Sequence, residues 1–321
     1  MAVPRVAIFA PDALLSVTIE ARGDVDELHV HAAGQGVWVA RMAAELGVVP
    51  VLCSFVGGET GRLVEPLLTA VPAELRLIPT AGPTGSYVVD RRSGERRMIA
   101  KALRPAPQRH EIDDLVSSAV SAALGSDLLV VCNPYPADGL PAEIYDTLVG
   151  NVRAAEIPVL VDLSSPRLEH ALAHRPDLVK LNDWELAEFV SGPVDGPRLL
   201  GAARRLLDAG ARAAVVTRAA DPTLVVALEA EPFELIAPAF PVGHREGCGD
   251  TMMGAIAAAW ARGLPFPDAL ALGAAAGSVN FLRRGLGTGR RAAVQELAQR
   301  IEMRPLIGVA PAGVGRSERR G

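Results

Sequence analysis

The segment best suited to chemistry is Gly247-Cys248-Gly249-Asp250-Thr251-Met252-Met253-Gly254-Ala255, where two glycines and an acid precede an Ala-rich helical run ending near Trp260. Glycines allow a tight turn that gathers several N–H groups, and the first turn of the following helix adds positive potential. Gly247, Cys248, Gly249 and Asp250 can therefore surround a phosphate or a developing anion. A carboxylate at Asp250 can take the proton of an attacking hydroxyl, a role worth roughly 10²–10⁴ in rate. The competing reading is that Asp250 only caps a helix.

A second segment, Lys180-Leu181-Asn182-Asp183-Trp184-Glu185, follows a short apolar strand and opens a helix. That spacing puts Asn182 and Glu185 one turn apart on one face. An amide oxygen and a carboxylate there suit a hydrated Mg²⁺, which takes few protein ligands and keeps waters that reach phosphate oxygens. The same residues also spell a capping box. A third segment, Ala33-Gly34-Gln35-Gly36-Val37-Trp38-Val39-Ala40-Arg41, is a glycine turn leading into a helix. It matches half of a dinucleotide fingerprint, with Val39 in place of the third glycine, so an NAD-dependent oxidoreductase stays open on this feature alone. No G-x-x-x-x-G-K-[ST] occurs, which excludes a P-loop enzyme.

These turns need strands and helices to hold them. Apolar or amphipathic runs at residues 6–10, 37–46, 50–56, 128–132, 144–155, 158–163, 178–181, 199–209, 213–217 and 252–260 alternate along the chain. Alternation of this kind predicts β-α crossovers around a mostly parallel sheet with helices on both faces. Residues 16–20, 27–31, 86–90 and 97–101 instead alternate apolar and polar, as half-exposed strands do. They read as a separate small sheet, a lid over the active cleft or a dimer surface, with residues 91–95 as a hairpin turn. Residues 191–197 read as a loop.

Half of the 321 residues are hydrophobic and the formal net charge is −5, so the chain can bury a large core and has no global attraction to nucleic acid or anionic lipid. No apolar run of about 20 residues is present to span a bilayer, and the opening residues read as a first strand, not a signal peptide. A cytoplasmic protein with a small-molecule partner is expected. Cys53, Cys132 and Cys248 are too few and too widely spaced for a disulfide frame or a zinc site, and read as free thiols.

In this order and at these separations, the three segments make the chain resemble the PfkB (ribokinase-like) family of carbohydrate kinases. The stretches 157–189 and 247–289 are most similar to the branch holding 1-phosphofructokinase, the minor 6-phosphofructokinase and tagatose-6-phosphate kinase. The resemblance implies a three-layer α/β/α sandwich with a β-sheet lid: a kinase domain over residues 1–303, lid strands from about 14–32 and 85–101, and a flexible tail at 304–321. It implies phosphoryl transfer from ATP to a hydroxyl of a sugar or sugar phosphate, with Asp250 as base in an anion hole at 247–250. Lys180, Asn182, Thr217, Arg218 and Ser278 are then expected to face the nucleotide. Asn182 and Glu185 would organise Mg²⁺, and Asp12, Gly34, Gln35, Gly36, Trp38 and Asn133 would face the acceptor. A monovalent cation is a further candidate cofactor, and a homodimer through the lid a candidate assembly.

The departures fall mostly on the acceptor side. The acid that grips sugar hydroxyls in the family is Leu15 here, the sugar-binding Asn is Trp38, and the arginine of a T-R pair is Gly85. Arg91, Arg92, Arg96 or Arg97 can replace that cation, or can form a solvated hairpin tip. On the nucleotide side, S-x-G becomes Thr217-Arg218-Ala219, and His244-Arg245 precede the anion hole. A catalytically weak ligand-binding protein with a drifted sugar pocket is the alternative that these changes leave standing.

Overall fold

In the computed structural model, which describes residues 2–136 and 139–306, the chain runs β1 (Arg5–Asp12), β2 (Leu14–Arg22), β3 (Val25–Ala33), α1 (Gln35–Glu45), β4 (Val49–Gly57), α2 (Gly58–Leu68), β5 (Glu74–Thr80), β6 (Ser86–Asp90) and β7 (Arg97–Ala102). It continues through α3 (Arg109–Leu124), β8 (Leu128–Cys132), α4 (Ile144–Ala154), β9 (Val159–Asp162), α5 (Arg167–Leu172), β10 (Leu178–Asn182), α6 (Asp183–Val190) and α7 (Arg198–Asp208). The last elements are β11 (Ala213–Arg218), β12 (Asp221–Ala227), β13 (Ala230–Ile236), α8 (Cys248–Ala261), α9 (Phe266–Phe281), α10 (Arg291–Ala298) and β14 (Glu302–Pro305).

Ten strands form the central sheet in the order β14-β13-β12-β11-β10-β9-β8-β1-β4-β5. From β11 to β5 every neighbour is parallel, while β12, β13 and β14 are added antiparallel at one edge. The layering follows from strand periodicity, since successive side chains point to opposite faces. Val6 and Ile8 of β1, Val130 and Cys132 of β8, and Leu160 of β9 enter one core with α1, α8 and α9. Ala7 and Phe9, Leu129 and Val131, and Val161 enter the other with α3, α4 and α7. This is the expected sandwich, each strand being apolar on both faces because both are covered.

The separate sheet has the order β3-β2-β6-β7 and closes through the expected 91–95 turn. The tail boundary at 304 needs correction: Arg304 and Pro305 belong to β14, and the Arg304 guanidinium holds Glu234 of β13 at 2.6 Å. A polar, Gly-rich end reads as too weak to pack, but an edge strand needs only one neighbour and one ion pair. The remainder of that stretch, 307–321, lies outside the described residues. No helix among the described residues is long and apolar enough to cross a membrane. All three cysteines are free thiols.

Candidate active site

The strand phase that builds the α8-side core also brings charge to the carboxyl ends of the strands. Cys132, Asp162 and Lys180 each lie two residues beyond a strand residue of that core (Val130, Leu160, Leu178), so all three project toward α8. Lys180 Nζ donates to Asp162 Oδ2 at 2.5 Å, with side chains only 7% and 3% exposed. Burial by itself lowers the Lys180 pKa, but the facing carboxylates Asp162, Asp250 and Glu185 outweigh it and raise it. Asp162 was not singled out from sequence; the available signal was an acid ending the apolar run at 158–163.

Asp250 enters from the other side. Gly247 is the N-cap of α8 at φ +71°, a left-handed conformation that favours glycine, and it contributes no side-chain cap. Asp250 lies in the first turn and is not the cap, which removes the competing reading of that residue. Burial pushes its carboxyl up to about 7, aided by Asp162 and Glu185, while Lys180 and a hydrogen bond from the Gln35 side chain pull the other way. Gln35 Oε1 accepts from Asn133 N at 2.8 Å, so the start of α1 ties this carboxylate to the end of β8. The loop ahead of α8 is pinned by buried Asn280, whose Nδ2 donates to Glu246 O at 2.9 Å. Cys248 Sγ donates to His244 O at 3.4 Å, and burial pushes the thiol up to about 11, so it stays protonated at neutral pH.

The remaining expected residues divide. Asn182 and Glu185 form a reciprocal capping box, Glu185 N to Asn182 Oδ1 at 2.9 Å and Asn182 N to Glu185 Oε2 at 2.8 Å. Thr217 stands beside Asn182 in register and its Oγ1 donates to Leu181 O at 3.4 Å. Arg218 is drawn to the sheet edge instead, its guanidinium holding Glu234 at 2.6 Å and Pro222 O at 2.6 Å. Ser278 Oγ donates to Ala274 O at 2.9 Å within α9; Asn280, two residues on, is the one that reaches the α8 loop.

Among the residues expected to face the acceptor, Asp12 is not an open carboxylate. It accepts from Arg104 Nε and from Tyr135 N, both at 2.8 Å, and burial raises its pKa against Arg104. Gly34, at φ +116°, lies where an added Cβ would meet Asp12 O at 2.4 Å, so it and Gly36 shape the turn and offer no side chain. Asn133 Oδ1 accepts from Ser164 N at 3.1 Å. Trp38 packs against the cluster of Leu14, Ala33, Tyr87 and Val89, and its Nε1 is buried without a hydrogen-bond partner among the described residues. The four lid arginines separate by strand phase: Arg92 and Arg97 hold Asp90 at 2.9 and 3.4 Å, leaving Arg91 and Arg96 on the opposite face near Glu246.

Residues 10–293 match the pfkB family of carbohydrate kinases. The chain belongs to that family. Among other pfkB-type proteins, it is similar to a 1-phosphofructokinase of Rhodobacter capsulatus, with 29% identity over 264 residues covering 80% of this chain and 82% of the relative. A D-tagatose-1-phosphate kinase of Bacillus licheniformis is 25% identical over 256 residues, 79% of this chain and 83% of that one. The pfkB fold is shared with phosphofructokinase-2 of Escherichia coli, solved in complex with potassium, at TM-score 0.81 and 23% identity over 94% of this chain and 99% of that one. As a pfkB-family member the chain is a carbohydrate kinase, similar to 1-phosphofructokinases over most of its length.

Proposed function

We propose that the chain transfers the terminal phosphoryl group of ATP to a hydroxyl of a sugar or sugar phosphate, with Asp250 as general base and residues 247–250 as the anion hole. The observation that carries this reading is the placement of the Asp250 carboxylate in the first turn of α8, just past a left-handed glycine and facing Lys180. As the acceptor oxygen bonds to the γ-phosphorus, its proton passes to Asp250. The bond from that phosphorus to the β,γ-bridging oxygen breaks and ADP leaves with the electron pair. Phosphoryl transfer needs positioning and charge neutralisation more than covalent help from the protein, which the helix N–H groups and Lys180 supply.

Lys180, Asn182 and Thr217, together at the ends of β10 and β11, are the residues we assign to the nucleotide side, with Ser278 of α9 a further candidate. Arg218 is left out because it is held by Glu234. The capping box engages Asn182 Oδ1 and Glu185 Oε2, so the donor set suits a Mg²⁺ that keeps its own waters, near a lysine crowded by three carboxylates. Bound there, Mg²⁺ would neutralise charge on the phosphate oxygens. A monovalent cation remains part of the reading, tested by turnover in potassium against sodium buffers.

The pH dependence follows from the environment of Asp250. A base must be ionised, and a pKa raised by burial delays ionisation, so turnover is expected to rise with pH through an inflection above the usual carboxylate range. A kcat/KM profile already flat from pH 5 upward contradicts this. A weaker second reading, a ligand-binding protein with a drifted pocket, is favoured by Leu15, Trp38 and Gly85 on the acceptor side. Its signature is nucleotide binding without turnover of any acceptor.

The lid supports a homodimer. Cross-strand partners Val17, Val30 and Val88, with Ile19 and Leu28, put apolar side chains on one face of the small sheet, and Leu28 is 67% exposed. A second copy packing the same face is the self-complementary solution for a four-stranded sheet with one apolar side open to water. Sedimentation is expected to show a dimer that Leu28→Asp converts to a monomer; a wild-type monomer at micromolar concentration rejects the assembly.

A further inference from the structure

Gln35 opens α1 and is half-buried, as is Asp250 in the first turn of α8. The way their helices meet brings the two residues together. Gly254 stands one turn beyond Asp250, and a Cβ there would meet Val39 O at 2.5 Å and Met42 Cβ at 3.2 Å. The missing side chain lets α8 lie directly against the backbone of α1, as glycine does where two elements approach closely. Val39 in turn stands one turn beyond Gln35. The contact of Val39 with Gly254 therefore has its counterpart one turn earlier on both helices, at Gln35 and Asp250.

The Gln35 amide is fixed at both ends. Its Oε1 accepts from Asn133 N at 2.8 Å, just past the end of β8. A backbone N–H can only donate, so this contact settles which end of the amide is oxygen and leaves Nε2 to donate to the Asp250 carboxylate. Asn133 is held in turn, its Oδ1 accepting from Ser164 N at 3.1 Å and from Arg167 Nε at 3.4 Å. A chain of hydrogen bonds thus runs from the segment between β9 and α5, through Asn133 and Gln35, to Asp250. The other groups around this carboxylate act differently. Burial raises its pKa most, Lys180 of β10 lowers it through charge, and Asp162 of β9 and Glu185 of α6 raise it through charge. The thiols of Cys132 and Cys248 are pushed up chiefly by burial and stay neutral. A neighbouring charge sets how readily the carboxyl ionises, whereas a hydrogen bond has direction and also sets how the group is turned.

We propose that Gln35 is the positioning residue for the base: its amide holds one oxygen of the Asp250 carboxylate and leaves the other turned to the acceptor hydroxyl. The proposal rests on the reading of Asp250 as that base. A carboxylate has two accepting oxygens and no donor, so a donor fixed against one of them sets the plane of the group. Proton transfer needs heavy atoms within about 2.6–3.2 Å, and side chains locked by a second layer of hydrogen bonds supply that precision. The same bond favours the ionised carboxylate, so Gln35 offsets part of the delay that burial imposes on ionisation. An amide does this at every pH because it has no charge to gain or lose. Gln35, expected to face the acceptor, thus acts on it through Asp250, with both ends of its amide engaged inside the protein.

Gln35→Met keeps the length of the side chain and removes both amide atoms, whereas Gln35→Glu keeps its shape and the acceptor for Asn133 N but replaces the donor with an oxygen. Both variants are compared with wild type in the pH profile of kcat/KM, using the best acceptor from a panel of free and phosphorylated hexoses. The Asp250 carboxyl is also titrated directly by ¹³C NMR in protein labelled at aspartate carboxyls, its signal being the one missing from Asp250→Asn. Gln35→Met is expected to move both inflections upward by about one pH unit, the scale of one charge-assisted hydrogen bond. It should lower kcat/KM about tenfold on the acid limb and less above it, with KM for ATP moving less than about twofold. Gln35→Glu is expected to shift at least as far, because a second carboxyl then faces the first. Wild-type inflections in Gln35→Met, or a Gln35→Glu protein indistinguishable from wild type, show a residue that only shapes the turn and overturn the proposal. Should Gln35→Met fail to fold, Gln35→Glu decides on the same two readouts. A carboxyl titration that shifts in Gln35→Met, in a protein whose turnover ignores Asp250→Asn, keeps the hydrogen bond but rejects the base and with it this role for Gln35. Turnover that Asp250→Asn abolishes, with both inflections unmoved in Gln35→Met, keeps the base and rejects Gln35 alone.

Discussion

Asp250→Asn is expected to lower turnover by at least about 10²-fold, the scale of a lost general base, without lowering the thermal midpoint at pH 8. Asparagine keeps the shape and removes a charge that the fold holds at a cost, since burial is the main cause of the raised Asp250 pKa and Asp162 and Glu185 add to it. The sign is fixed by linkage. A carboxyl whose folded pKa lies above its unfolded value binds its proton more readily in the fold, so ionisation erodes stability as pH rises through that range. At pH 8 the wild type carries this destabilisation and the variant does not, while Lys180 keeps Asp162 as its partner. Loss of activity with preserved stability is the pattern of a residue kept for function. A variant that loses several kcal/mol of stability, or keeps its turnover, contradicts the assignment.

Lys180→Met is expected to cost about 3–5 kcal/mol of folding stability, because it leaves Asp162 buried without its cation. The pair joins two neighbouring parallel strands directly beneath α8, so the loss also loosens the floor on which Asp250 stands. In urea unfolding, the double variant Lys180→Met/Asp162→Asn should cost clearly less than the sum of the two single changes, since neither charge is then stranded. Additive and small costs, each below about 1 kcal/mol, would show that the pair contributes as little as an exposed one.

Strand phase explains both what the sequence disclosed and what it hid. The alternation at 16–20, 27–31, 86–90 and 97–101 was enough to place β2, β3, β6 and β7 in one small sheet, although only β2 and β6 are half-buried and β7 is exposed along its whole length. β5, β12 and β13 left no such clear signal: β5, at one edge, is only partly covered, and β12 and β13 bury consecutive residues instead of alternate ones. α9 is buried over most of its circumference and rich in Ala and Gly, so no polar face marked it as a helix. At the site, Gly247 to Asp250 and the pair Asn182 and Glu185 were legible because each is a local motif with its own turn chemistry. Asp162 and Lys180 lie 18 residues apart, and Arg104 and Asp12 92 apart, so only the fold joins them. Arg218 and Ser278 show the reverse case, where a motif position is taken up by local bonding to Glu234 and to Ala274.

A carboxylate at the entrance of α8 that receives the proton of an acceptor hydroxyl must act while phosphate moves to that oxygen. The most direct measurement follows label from [γ-³²P]ATP into a panel of free and phosphorylated hexoses, nucleosides and polyols, with wild type and Asp250→Asn side by side. Wild type is expected to form a labelled acceptor in step with ADP, and the variant at least about 10²-fold less. Label that stays in bound ATP whatever the acceptor, or that moves equally well in both proteins, contradicts it.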